Sequence, residues 1–190
     1  MISKVSEVEK NSIIERLSFF DFDNLECPTG EKIVVSIQEG IVNVRYIDLN
    51  YTTFEKSSFI QYKKNEQTLQ KFIKMLMGFL QSNSRFVFKY DEKWVKNGRL
   101  SKKLYRLFVQ KGISDNDNVL CIKDKKIVSD ITNANFRNNT LSYFVFLEDE
   151  IIIVPTDHMD IFIFGKTEKM RDIREYLKKN LYQFQNLEMT

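Results

Sequence analysis

The sequence predicts an α+β fold: an antiparallel or mixed sheet with helices packed mainly on one side, in a single domain. Three observations carry this. Apolar spacing switches between helical and strand periods in the order α, ββ, α, β, α, a run of strands, then α. Consecutive hairpin-like strands favour antiparallel pairing, and the regular β–α alternation of a doubly wound parallel sheet is missing. The chain has 190 residues, a normal single-domain length, with 43% hydrophobic and 13% aromatic residues and only 2 Pro and 6 Gly. Such a chain can bury about 70% of its unfolded surface and needs no staples. Residues 1–190 are therefore read as one domain, with an N-terminal helix and hairpin over 1–60 and the remaining helices and strands over 61–185.

Residues 3–20 read as a helix. Ser3 or Ser6 can cap it, and Ile13, Ile14, Leu17 and Phe20 recur at helical spacing. Asp23-Asn24 through Pro28-Thr29-Gly30 is a turn-rich break. A hairpin follows: 31–38 places Ile33, Val35 and Ile37 on one face, Glu39-Gly40 turns, and 41–49 alternates again. Residues 51–62 are ambiguous. From about 64 to 81, Leu69, Phe72, Ile73, Leu76, Phe79 and Leu80 form a helical stripe.

A short strand is predicted over 85–90, then a helix over 100–110 that Gly112 can stop. Residues 119–123 read as a strand, Asp124-Lys125-Lys126 as a turn, and 127–131 as a partner strand. Strands over 142–147, 151–154 and 159–164 form a meander. Glu148-Asp149-Glu150 makes its first turn, and Pro155 ends its second strand. Gly165 ends the third, Thr167 can cap, and 168–183 are helical with Lys178 and Lys179 near the C-terminal end.

The chain carries 29 basic and 26 acidic residues, a net +3. That is too mild for wrapping nucleic acid by bulk charge. Cys27 and Cys121 are the only cysteines, which gives neither a disulfide framework nor zinc-site spacing. The first residues hold no apolar signal stretch, and the apolar runs, such as 151–154, are strand-sized. The expectation is a reduced, cytoplasmic protein with no membrane span, no metal and no cofactor.

Four patches hold chemistry-bearing residues. His158, the only histidine, lies between Asp157 and Asp160, a layout that suits a base or a metal ligand. No second histidine or oriented nucleophile accompanies it, and the stretch reads as a turn stabilised by local hydrogen bonds. Glu148, Asp149 and Glu150 cluster at a hairpin tip. Across one short strand, at ~3.3 Å per residue, they stand about 12 Å from Asp157 and Asp160, too far to form one site. Residues 93–111 hold Lys93, Lys96, Arg99, Lys102, Lys103, Arg106 and Lys111 with no acid, and Trp94 and Tyr105 are interleaved. Lys96, Arg99, Lys103 and Arg106 lie opposite the Leu100, Leu104 and Leu107 stripe. That is the pattern of a solvated helix face, an acidic-partner surface or a phosphate-binding face. Asp21-Phe22-Asp23 only superficially matches a phosphatase-style Asp-x-Asp, because a helix rather than a buried strand precedes it.

From about Lys64 onward the layout resembles a family of small bacterial proteins encoded beside polymorphic toxins. The matching residues are Tyr143-Phe144-Val145-Phe146, then Ile151-Ile152-Ile153-Val154-Pro155, then Asp157 and Met159-Asp160-Ile161, then the closing helix with Tyr176. Thr156 stands where the family has Tyr, the Asp-Arg-Gly element is missing, and the loop is two residues shorter. The resemblance implies an immunity-type inhibitor that binds one cognate toxin in the cytoplasm.

The leading expectation is thus a non-catalytic protein that neutralises a toxin or effector by direct contact. It would bury about 1,600 Å² in a one-to-one complex. Contacts are expected at Phe146, Glu148, Asp149, Asp157 and Asp160. The alternatives are a nucleic-acid-binding or phage counter-defence protein using Lys96, Arg99, Lys103 and Arg106, and an enzyme using Asp157, His158 and Asp160.

Overall fold

The computed structural model describes residues 1–37, 56–82, 85–90, 92–94, 99–137, 140–184 and 186–190; in the helices beginning at Lys56 and Arg99, side chains are described from Ile60 and Lys102 onward. In chain order the elements are β1 (Ile2–Lys4), α1 (Glu7–Arg16), β2 (Glu31–Ile37), α2 (Lys56–Phe79), β3 (Arg85–Lys89), α3 (Arg99–Gln110), β4 (Val119–Ile122), α4 (Lys125–Phe136), β5 (Ser142–Phe146), β6 (Ile151–Pro155), β7 (Ile161–Gly165), α5 (Thr167–Asn180), a 3₁₀ turn (Leu181–Gln183) and β8 (Leu187–Met189). Among the described residues the strands form one eight-stranded sheet in the order β1-β4-β3-β5-β6-β7-β2-β8. Every pairing is antiparallel. The α+β class is as the sequence predicts.

Period-two alternation sorts side chains onto two faces. Leu120, Val87, Phe144, Ile153, Ile163 and Ile33 are register partners in one row across six strands. They pack beneath α2, α3, α4 and α5 in the larger core. The next row holds Cys121, Phe86, Val145, Ile152 and Phe164. It faces α1 and the 17–22 segment, where Ile13, Leu17, Phe19 and Phe20 complete a second core. Every residue of β5 and β6 is buried, because the sheet centre is covered on both sides. Burial at about 25 cal/mol per Å² of apolar area drives this layering.

Local signals explain most boundaries. Ser6 caps α1 by accepting a hydrogen bond from the Glu9 amide. Gly112, at φ +66, ends α3, and the Ile113 amide closes back onto the Phe108 carbonyl. At Gly165 a Cβ would stand 2.5 Å from Ile151 Cδ1 and 3.0 Å from Met170 Sδ, so glycine lets α5 turn back closely over the sheet.

Several expectations are corrected. Residues 127–131 are not a strand; they lie in α4. The Asp124 carboxylate accepts the Lys126 amide and caps that helix, and Ile127, Val128, Ile131 and Ala134 form its buried stripe. Residues 2–4 are not helical but pair with β4, so the first helix starts at Glu7 and stops at Arg16. The third meander strand starts at Ile161, because Met159 has positive φ and belongs to the preceding turn. The last helix ends at Asn180, and its N-cap position, Lys166, makes no side-chain cap bond. The expected partner strand at 41–49 lies outside the described residues. Within those residues, β2 is flanked by β7 and by β8, a strand not anticipated.

Candidate functional site

The meander turns place the expected contact residues in unlike surroundings. Phe146 is 1% exposed and lies in the core under the helices, which corrects its assignment as a contact residue. It falls on the inward side of β5, so a partner could reach it only by unfolding the strand. Asp149 is committed to the fold. Its carboxylate accepts the amides of Gln81 (3.0 Å) and Ser82 (2.9 Å) and the Ser82 hydroxyl (2.5 Å), pinning the α2–β3 connection to the hairpin tip. Glu150, at φ 54, pairs with Lys166 at 3.1 Å. Glu148 is exposed.

At the far end of β6, Thr156 donates its amide to the Asp160 carbonyl (2.9 Å) and closes the β6–β7 turn. Asp157 and His158 are exposed there, with Nε2 of His158 3.8 Å from Asp157 Oδ1. Burial pushes the Asp160 carboxyl above its ordinary value, against the pull of nearby His158. Among the described residues no three His, Cys, Asp or Glu side chains gather as a metal would require. Cys27 and Cys121 are both half-buried and form no disulfide. The two acidic groups sit at opposite ends of one strand, as the strand's length demands.

The basic face is carried by α3. Leu104 and Phe108 are buried beneath it, while Lys102, Lys103, Tyr105, Arg106 and Val109 are exposed. Lys96 and the Arg99 side chain lie outside the described residues. Lys103 crosses to Asp130 on α4 at 2.5 Å. Lys102 and Arg106 form no ion pair among the described residues. Between α3 and α4 runs an open groove of about 580 Å³ that presents Lys102, Lys103, Arg106 and Lys126 against Asp124 and Asp130. Tyr105 (62% exposed) and Val109 (56%) stand on the same helix. Exposed Tyr and Arg flanked by an apolar residue is the composition of a recognition surface.

One polar cluster had no signal in the sequence. Arg137, just past α4, grips Glu66 of α2 with two hydrogen bonds (2.6 and 2.7 Å), and Lys63 adds a third contact at 2.7 Å. Glu66 is 5% exposed. Burial opposes its charge, but the hydrogen bonds and charges of Arg137 and Lys63 prevail and hold its carboxyl below the ordinary value. Tyr62 donates to the Phe136 carbonyl (3.2 Å); burial, then Glu66 and more weakly Asp157, push its hydroxyl well up. Nearby on α4, Asn135 donates to the carbonyls of Ser142 (2.5 Å) and Pro155 (2.9 Å), tying the helix to β5 and β6. These are structural ties between elements.

The fold and surfaces define a class: an α+β domain on an eight-stranded antiparallel sheet, with an open charged groove between two helices among the described residues. No helix among the described residues is long and apolar enough to cross a membrane. Comparison with family models, with curated proteins and with solved structures finds no match.

Proposed function

We propose that the protein is a non-catalytic, cytoplasmic binding protein that neutralises a toxin or effector by direct contact, as an immunity-type inhibitor does, and that α3 provides the contact surface. The observation carrying this reading is the exposed face of Lys102, Tyr105, Arg106 and Val109 beside the α3–α4 groove. The acidic turns are weaker candidates, since Asp149 and Glu150 are spent on internal bonds and Phe146 is inside. Four cations against two carboxylates in the groove favour an acidic but mixed-charge protein surface. The resemblance of the C-terminal strands to immunity-type proteins supports the same class.

The test is co-purification with the product of the adjacent gene. A one-to-one complex is expected, weakened at least ~100-fold by Lys102→Glu with Arg106→Glu, since like-charge juxtaposition costs several kcal/mol. Lys103 is left intact because reversing it would also break its tie to Asp130. Failure to bind that protein sinks the reading. Tyr105 among these cations also favours a second reading, stacking on single-stranded nucleic acid as a counter-defence protein would. It predicts oligonucleotide binding that falls steeply with salt and is lost in the same variant.

A further inference from the structure

Between α2 and α4, on the side of α4 away from the α3 groove, lies a cavity of about 270 Å³ that the proposed function does not use. The two helices run antiparallel here: Tyr62 meets the Phe136 carbonyl, and Gln70, further along α2, meets Ser129 and Asn133. Polar side chains close one end of the cavity and are spent on each other. Gln70 donates to the Ser129 carbonyl (3.0 Å) and accepts from the Ser129 hydroxyl (2.7 Å), while Thr132 donates to the Val128 carbonyl (2.9 Å). Beyond them the walls are apolar, made by Ile73, Met77 and Val128.

Two cations flank this apolar slot. Lys74 lies four residues beyond Gln70, and Lys125 four before Ser129. At ~1.5 Å per residue both stand about 6 Å from the Gln70–Ser129 contact, so they face each other across the cavity. Both line it, and neither forms an ion pair among the described residues. No described acid lines the cavity. Asp124 and Asp130 of this part of the chain line the α3–α4 groove instead, and Asp149 is held beyond the end of α2 by the Gln81 and Ser82 amides. α4 begins at this level and α2 ends about one turn further on, so their end charges oppose and the two ammonium groups set the sign. Gly78 opens the far end. A Cβ there would meet nothing within 4 Å, and no positive φ calls for glycine. A glycine inside a helix is costly, and here neither packing nor backbone requires it; what its missing side chain provides is room.

We propose that this cavity binds a medium-chain aliphatic carboxylate, its head held between the ammonium groups of Lys74 and Lys125 and its chain laid over Ile73, Met77 and Val128 toward Gly78. The charge pattern matches one anionic head on an apolar tail: charge-assisted hydrogen bonds hold the carboxylate, and burial holds the chain. The lysine stems lie along the apolar wall while their heads stay at the mouth. At about 30 Å³ for each water-sized group, the cavity takes roughly nine heavy atoms, the size of hexanoate to octanoate.

The test is an amide-resolved NMR titration of the full chain with sodium hexanoate, octanoate and decanoate, and with octylammonium chloride, all at equal ionic strength. Saturable shifts are expected over residues 70–78 and 125–132, with octanoate half-saturating on the order of 1–10 mM. Affinity should rise about fourfold per methylene up to octanoate and level off at decanoate, which outgrows the cavity. Octylammonium, with the same tail and the opposite charge, should bind roughly tenfold more weakly or worse. Lys74→Gln with Lys125→Gln should weaken octanoate roughly tenfold and abolish its advantage over octylammonium. Gly78→Leu should fill the cavity and remove the saturable shifts without lowering the midpoint in urea. The lysine variant changes only exposed side chains, so it decides the matter whatever Gly78→Leu does to folding. No saturable shift over these residues overturns the proposal. So does equal binding of octylammonium by the wild type, affinity that keeps climbing from octanoate to decanoate, or unchanged octanoate affinity in the lysine variant.

Discussion

Arg137→Leu is the sharpest probe of what holds the helical layer together. The substitution removes a bidentate partner from a carboxylate that is 5% exposed. Removing one member of a buried pair costs about 3–5 kcal/mol, because the other charge is left without compensation. Here the loss is smaller. Lys63 still reaches Glu66 at 2.7 Å, and Arg137 itself keeps 16% of its side chain exposed. A loss of about 2–3 kcal/mol is therefore expected, read as a lower midpoint in urea at unchanged slope. Changing Glu66→Leu at the same time removes the stranded charge, so the double variant should recover a good part of the loss. The pH dependence follows the same logic. The Glu66 carboxyl lies below its ordinary value of 4.5 in the folded protein, so its stabilisation is fully present above that value. It fades as pH falls through the lower folded value. The variant, in which Lys63 alone still opposes burial at Glu66, should show less of this acid sensitivity. A loss under about 0.5 kcal/mol, or strictly additive single and double variants, would refute the claim that this pair couples α2 to α4.

Three further outcomes follow from the same structure. Asn135→Leu should cost about 2–3 kcal/mol in chemical denaturation, since the buried carbonyls of Ser142 and Pro155 lose their donor. Asp149→Ala should cost about 1–2 kcal/mol and speed amide hydrogen exchange at Gln81 and Ser82, which it now holds. Gly78→Ala should raise stability by up to about 1 kcal/mol, because a Cβ there meets nothing within 4 Å and a mid-helix glycine is costly.

The meander was legible because its strands are apolar runs bounded by Glu148-Asp149-Glu150 and by Pro155. Their runs are continuous rather than alternating because α2–α5 cover one face and α1 with its following segment covers the other. The α4 helix was misread since Ile127 and Val128 are β-branched and follow a cluster that looks like a turn, while the decisive Asp124 cap is a single side chain. β1 and β8 are three residues each, too short for a period to register. The site was less legible. Phe146 looked available because it adjoins a polar turn, but pleat parity turns it inward. Glu66 and Arg137 stand 71 positions apart, so only the packing of α2 against α4 reveals their pairing. Asp149 read as a surface acid, although its partners are backbone amides 67 and 68 positions away.

The central claim is that the exposed face of α3 is a protein-binding surface. Its most direct test is isothermal titration of the adjacent gene's product with the wild-type chain and with the Lys102→Glu, Arg106→Glu variant, after circular dichroism confirms that both fold alike. The account predicts one-to-one binding by the wild type and a loss of at least ~100-fold in the variant. Equal affinity for both chains, or no binding by either, would contradict it.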